Sequence, residues 1–293
     1  MRKILIGVTL TILLSLITGL NCSARGAGTT GANFLKIGLG ARAEALGGAY
    51  TALSDDGSAL YWNPAGLAQL KDKEFFATYN MWFQDISQGY LSFSFPSLKG
   101  VLAAGVNYIN MGELERRDQW GNPEGNFSAS DLYLSLGYAR EISPGLMLGL
   151  SGGYLEDTIA EDKESTFLGN IGVMIKPTSN ISLGVSAQNI GSSLGEDDLP
   201  LTLRAGAALK VLSSTLSFDA VFPNDNDSYC AAGIEYPLTS FFTLRAGYRT
   251  GKDVGEGYSA GLGFNLSSVS LDYAYVPYGD LGNSHRVSLG MRF

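Results

Sequence analysis

The groups in this chain that could do chemistry are few and scattered. Asp55-Asp56 and the run Asn224-Asp225-Asn226-Asp227 carry the hard oxygen ligands that calcium takes. Neither extends into a twelve-residue loop closed by Glu, so both read as solvated turns. Gly38-Leu39-Gly40 lacks the third glycine and the preceding strand of a dinucleotide loop. Glu156, Asp157, Glu161, Asp162 and Glu164 read as an exposed acidic loop. His285 is the single histidine, so His-rich metal sites are excluded and no motif supports a histidine-based triad. It reads as a strand-start residue. These residues point away from an enzyme, and they imply no metal and no cofactor.

The N-terminus reads MRKILIGVTLTILLSLITGLNCSARG. Arg2 and Lys3 precede an apolar stretch from Ile4 to Leu20, and Cys22-Ser23-Ala24 places small residues before a cleavage point after Ala24. This predicts a secretory signal peptide over 1–24. Two other readings are a retained membrane anchor and lipidation at Cys22. After cleavage Cys230 stands alone, and no intramolecular disulfide can form. A net charge of −8 and a pI near 4.7 disfavour a nucleic-acid partner. Export, 38 glycines, 29 Tyr plus Phe, and no second long apolar run together suit an outer-membrane barrel.

The elements behind those residues are strands. In DLYLSLGYAR, Leu132, Leu134, Leu136 and Tyr138 share one face, with Tyr133, Ser135, Gly137 and Ala139 on the other. ISLGVSAQN, TLSFDAVF and GYSAGLGFNL repeat that contrast of a bulky face and a small or polar one. Fourteen segments follow, near 74–82, 87–95, 100–110, 129–140, 145–156, 165–176, 180–190, 201–211, 213–222, 228–237, 241–250, 256–266, 268–277 and 285–293. Their number is even, and a length of roughly ten residues lets a tilted strand cross a bilayer. Tight connections alternate with longer polar ones at 111–128, 157–164, 191–200, 223–227, 251–255 and 278–284. That parity predicts an all-β transmembrane antiparallel barrel with periplasmic turns and external loops. Tyr79, Tyr90, Tyr108, Tyr154, Tyr236, Tyr258 and Tyr278 lie near strand ends, as interfacial girdles require, although Tyr also simply favours strands.

The last strand, HRVSLGMRF, sets Val287, Leu289, Met291 and Phe293 on one face. A terminal aromatic on an amphipathic strand resembles the signal read by the barrel assembly machinery of the outer membrane.

A barrel this wide cannot be filled by its own side chains. Residues 32–70 are the natural plug. Phe34, Leu35, Leu39, Ala43, Leu46, Tyr50 and Leu53 follow a helical spacing that Gly38, Gly40, Gly47 and Gly48 interrupt. Short helices joined by tight turns and packed against a wall are expected. Pro64 pushes Asn63 out of the helical region, so Trp62-Asn63-Pro64-Ala65-Gly66 reads as a bend, with Gly66 supplying backbone freedom. The organisation is a leader over 1–24, a linker and hatch over 25–72, and a barrel over 73–293.

The stretch ANFLKIGLGARAEALGGAYTALSDDGSALYWNPAGLA over 32–68 resembles the N-terminal signature of the PorV/PorQ proteins, which belong to the wider FadL-like outer-membrane barrels. The resemblance implies a fourteen-stranded barrel whose hatch carries an Asn-Pro-Ala motif, here Asn63, Pro64 and Ala65. It implies a location in the Gram-negative outer membrane, among its lipids. Two roles follow from it. One is a transporter binding or passing a hydrophobic ligand. The other, toward which the modest loops weigh, is a platform receiving secreted protein cargo in type IX secretion. A purely structural barrel is the third reading.

Overall fold

The structure, a computed structural model, describes residues 26, 28–84, 86–251 and 254–293. The expected leader, its cleavage point and Cys22 lie outside the described residues.

Fourteen strands form one closed antiparallel barrel. They are β1 (Glu74–Met81), β2 (Ser87–Ser97), β3 (Gly100–Arg117), β4 (Pro123–Ser143), β5 (Leu146–Ile159), β6 (Asp162–Ile175) and β7 (Ile181–Gly191). The second half comprises β8 (Thr202–Val211), β9 (Ser214–Pro223), β10 (Tyr229–Pro237), β11 (Phe242–Arg249), β12 (Tyr258–Leu266), β13 (Val269–Pro277) and β14 (Asn283–Arg292). Each strand pairs with its sequence neighbours. The seam closes between β1 and β14, in register from Glu74 opposite Arg292 to Met81 opposite His285. Closure removes the free edges that an open sheet would expose.

Side chains alternate across the wall as the period-two pattern requires. Leu134 and Leu136 point outward and are exposed, while Asp131, Tyr133 and Ser135 point inward and are buried. The exterior keeps large apolar groups uncovered, among them Leu150, Phe167 and Ile171. An apolar outer band with a polar interior is the arrangement of a barrel solvated by lipid. No helix among the described residues is long and apolar enough to cross a membrane.

Two expected loops are strand instead. β3 continues to Arg117 and β4 begins at Pro123, so only 118–122 turns. β5 and β6 meet across Ala160-Glu161. As a result β3–β6 run 14–21 residues, where the other ten strands run 8–11. Beyond the barrel rim both faces meet water, so the apolar alternation disappears while the ladder persists. Gly112 (φ 73°) sits at a register shift and Gly121 (φ 86°) in the turn. Asp118 closes that turn, accepting from Trp120 N and Asn122 N, both at 2.8 Å. Asn122, through side chain and backbone, holds the Asp118 carboxyl below the usual range.

The girdle expectation fails at two tyrosines. Tyr90 points into the lumen and donates to Gly57 O at 2.8 Å. Tyr278 lies past the end of β13, packed on Trp82 and Phe83. Tyr79, Tyr108, Tyr236 and Tyr258 are exposed on the outside.

The lumen is occupied by a hatch of short pieces: a 3-10 turn (Asn33–Lys36), α1 (Ala41–Ala45), α2 (Ala59–Trp62) and a second 3-10 stretch (Pro64–Gln69). Ala41, Ala45, Leu46, Tyr50, Ala59 and Leu67 are wholly buried between hatch and wall. The hatch therefore supplies the core that the barrel alone lacks.

Candidate functional site

The hatch spans the lumen from one mouth to the other. At the mouth framed by the longer loops, Gly31 N donates to Asp198 O at 3.0 Å. Asp225 accepts from Thr30 Oγ1 at 2.5 Å and from Lys36 Nζ at 2.6 Å. Asp225, expected in a solvated turn, is instead buried as a tether. Phe34, Leu35 and Ile37 pack against Ile109, Tyr133, Leu155 and Leu168 of β3–β6. The chain then descends. α1 lies against β11–β14, and Asp55 and Asp56 reach the short-turn mouth beside Arg292.

The residues singled out from the sequence come together in the middle of this path. Gly47 (φ 68°) and Gly48 (φ 81°) turn the chain left-handed after α1, and a Cβ on Gly47 would meet the backbone of Tyr248 at 2.9 Å. Trp62 donates Nε1 to Leu39 O at 2.6 Å and packs edge-on against Tyr61. Asn63 is extended (φ −161°, ψ 102°), the geometry that a following proline favours. Its side-chain amide donates to Thr51 O at 2.9 Å and to Val173 O of β6 at 3.2 Å, and its oxygen accepts from Ala65 N at 3.1 Å. Ala65 is buried against Met147 and Met174. Gly66 does not have a positive φ. It is required by proximity, since a Cβ there would collide with Ser54 O.

Val287, Leu289 and Met291 alternate outward on β14, away from this centre. Phe293 is exposed and stacks on Phe93 with ring centroids 6.3 Å apart. Its backbone exchanges two bonds with Lys73, at 3.0 and 3.2 Å, and so extends the seam.

Sequence reasoning missed the charges that hold the hatch. Arg204 is 4% exposed and donates to Gly48 O at 2.6 Å, Thr51 Oγ1 at 3.1 Å and Asp219 at 3.0 Å. Its guanidinium lies 4.7 Å from the centroid of the Trp62 ring. Asp219 also accepts from Thr51 N at 3.1 Å and Thr51 Oγ1 at 2.6 Å. Arg42 of α1 grips Glu235 with two bonds of 2.8 Å, and Arg245 joins Glu235 (2.6 Å) to Asp272 (2.7 Å). Arg42 also pairs with Asp55. Glu74 accepts from Gly57 N at 2.6 Å and Arg292 Nε at 2.5 Å. Burial raises the Tyr50 hydroxyl well above the usual phenol range, so it stays a neutral donor to Asp56. The available signal was a charge on the small, inward face of a strand, as Asp219 stands in TLSFDAVF.

Two of the cavities beside the hatch lie at opposite mouths. One of about 300 Å³ opens at the short-turn mouth between Arg42, Asp55, Glu235, Arg245, Asp272 and Arg292. The other, about 230 Å³, lies at the long-loop mouth among Lys36, Tyr61, Gln188, Arg204, Tyr229 and Arg249. Arg42 lines the first, while Glu44 and Gly48 line the second. The segment around α1 is thus the partition between them.

Fold and site together define a fourteen-stranded barrel of FadL-like fold with a luminal hatch partitioning two polar cavities. The chain is similar in structure to the toluene transporter TbuX of Ralstonia pickettii, with a TM-score of 0.67 at 13% identity, covering 87% of this chain and 98% of that one. It is similar to the Pseudomonas putida toluene transporter TodX, with a TM-score of 0.63 at 13% identity over 91% and 96% of the two chains. A Pseudomonas aeruginosa FadL homologue gives 0.58 at 12% identity over 86% and 98%. In sequence, a model of an uncharacterised protein family (UPF0164) matches residues 21–100. No curated protein matches in sequence.

Proposed function

We propose that this chain is an outer-membrane barrel that passes small, largely hydrophobic molecules across a hatch-gated lumen. The single observation that carries the reading is the pair of cavities at opposite mouths, separated by one hatch segment held through polar contacts. A merely structural barrel has no use for that arrangement. The short turns face the periplasm and the longer connections face outward, the polarity of barrels of this kind. The exposed face of Val287, Leu289, Met291 and Phe293 serves recognition by the barrel assembly machinery. The solved neighbours described as toluene transporters and a FadL homologue support a hydrophobic solute. Gly47, Gly48 and Trp62 to Gly66 form the hinge of the hatch, with Asn63 as its lock.

The test is uptake of labelled toluene by Gram-negative cells expressing the chain. Uptake several-fold above cells carrying an empty vector is expected, and equal uptake rejects the transport reading. Asn63→Leu removes the side-chain partner of Thr51 O and Ala65 N, at roughly 1–3 kcal/mol for each buried group left unpaired, while Val173 keeps its place in the ladder. The variant should keep its barrel and show noisier, larger conductance in planar bilayers. Unchanged conductance removes Asn63 as a lock.

A second reading, a docking platform for secreted cargo as in PorV-like proteins, draws on the projection of β3–β6 and on Trp120, 78% exposed at the tip of the β3–β4 hairpin. Trimming that hairpin at 113–126 should abolish co-purification of exported proteins if cargo docks there.

A further inference from the structure

The cavity at the long-loop mouth is chemically unlike a hydrocarbon site. Its walls bring three cations, Lys36, Arg204 and Arg249, together with two acids, Glu44 and Asp225. The acids are already matched. Asp225 is held by Lys36 at 2.6 Å and Glu44 faces Arg286 at 3.6 Å. Arg204 spends its charge on Asp219 at 3.0 Å, beneath the hatch loop at Thr51. Arg249 differs. Among the described residues it makes no ion pair within 4.0 Å and no side-chain hydrogen bond; its guanidinium overlies the Tyr229 ring at 5.2 Å, with Glu44 as a more distant countercharge. It is half-buried at the end of β11, on the lumen side of the wall.

Much of the remaining polar lining is committed elsewhere. Gln188 donates to the carbonyls of Tyr61 (2.5 Å) and Trp62 (3.2 Å), and Asn189 to Pro200 O at 3.0 Å. The Tyr61 hydroxyl donates to Leu35 O at 3.0 Å. What the cavity still offers a ligand is one planar guanidinium with its donors unused, bordered by the rings of Tyr61 and Tyr229. A guanidinium fork matches a carboxylate bidentately, and aromatic walls favour a compact apolar body beside it. The volume of about 230 Å³ lies below the range typical of drug-sized ligands.

We infer that this cavity is a binding site for a small organic monocarboxylate, an anion with a compact aromatic or short apolar body, whose carboxylate docks on Arg249. The inference rests on the transport reading above for its biological use and sharpens the solute from a neutral hydrocarbon to an amphiphilic anion. The binding itself stands on the cavity alone. A neutral hydrocarbon would leave the guanidinium without an acceptor, and an organic cation would face a lining in which Lys36, Arg204 and Arg249 outnumber Glu44 and Asp225.

The experiment is equilibrium binding of benzoate, with benzyl alcohol as its neutral counterpart, to the purified full-length barrel in detergent. Heat-modifiable migration confirms that each variant is folded. Benzoate should bind saturably to the wild type and more tightly than benzyl alcohol. Arg249→Gln should weaken benzoate about tenfold or more, in line with the loss of a charge-assisted bond, and should leave benzyl alcohol unchanged. Arg249→Lys, which keeps the charge but loses the fork, should fall between them. Equal benzoate affinity in Arg249→Gln, or benzyl alcohol binding as tightly as benzoate to the wild type, overturns the site. The two proposals fail separately. Toluene uptake by cells alongside Arg249-independent benzoate binding removes the site and leaves the transporter. Arg249-dependent benzoate binding without uptake of either solute leaves the site and removes the transporter.

Discussion

Along β3–β6 the hatch meets carbon, whereas along β8–β14 it meets charge. On the first arc Leu60, Leu67 and Leu70 pack on Val101, Ala103 and Ala139, and Phe34, Leu35 and Ile37 fill a chamber of Ile109, Leu155 and Leu168. The backbones touch there too. A Cβ on Gly149 would overlap Pro64 and Ala65, and one on Gly172 would overlap the Asn63 amide. On the second arc contact runs through Arg204–Asp219, Arg42–Glu235–Arg245–Asp272 and Arg286–Glu44. The wall of the two cavities at opposite mouths comes mainly from this second arc. Apolar surfaces interlock to crystal-like density and leave little room. Ion pairs demand fixed geometry and polar surroundings, and the spaces between them suit water or a polar solute. The apolar arc is a bearing for the hatch, and the charged arc borders the cavities at the two mouths.

The largest effect should come from breaking the charged arc at its most buried pair. Arg204→Met leaves Asp219 without its cation, and stranding one buried partner costs about 3–5 kcal/mol. The loop from Gly48 to Thr51 loses its anchor. Hydrogen exchange over 46–52 should quicken by orders of magnitude, with larger single-channel currents. Adding Asp219→Leu should recover only part of the protection, because it removes the stranded charge but also the acceptor of Thr51 N and Thr51 Oγ1. Exchange that stays at the wild-type rate in Arg204→Met would erase the distinction between the arcs.

Leu67→Ala probes the bearing. Leu67 is wholly buried, and truncation of such a leucine costs about 2–5 kcal/mol of stability. The loss is spread over the packing, with no charge left stranded, so the midpoint of thermal unfolding should drop while conductance stays near wild type. A pore opened more by Leu67→Ala than by Arg204→Met would reverse the assignment.

The two arcs were not equally legible in the sequence. Strand number and facing were readable because a wall between lipid and a polar lumen alternates strictly, as at Leu132 to Ala139. The hatch was readable because Gly47, Gly48 and the Asn63-Pro64 bend suit short helices pressed on a wall and not a free domain. The charged arc was hidden by distance. Arg42 and Glu235 lie 193 residues apart, and Lys36 and Asp225 lie 189 apart. On a small, polar strand face Asp219 or Arg245 looks the same whether it meets water or a partner. The strands beyond the rim, such as Gly112 to Arg117, were hidden because pairing without burial leaves no periodic trace.

The smallest effect concerns the strap where the hatch begins. Asp225 is buried, which by itself would raise its titration. The hydrogen bonds from Lys36 and Thr30, with the Lys36 charge, outweigh that and hold its carboxyl below the usual range. A depressed carboxylate contributes its stabilisation fully above the ordinary value near 4 and loses it as the pH falls through the folded value. Protection factors for residues 28–37 should therefore be flat from about pH 8 to pH 5 and decline only below about pH 4. Lys36 is partly exposed, its side chain at 35%, so the pair is worth little, on the order of 0.5–1 kcal/mol. Asp225→Asn should thus speed strap exchange only about two- to fivefold at neutral pH, leave residues 46–52 untouched, and flatten the acid limb. A strap that loosens near pH 6 would mean that the Asp225 carboxyl is raised by its burial. The charged arc would then reach the long-loop mouth as a proton-sensitive contact and not as a fixed tether.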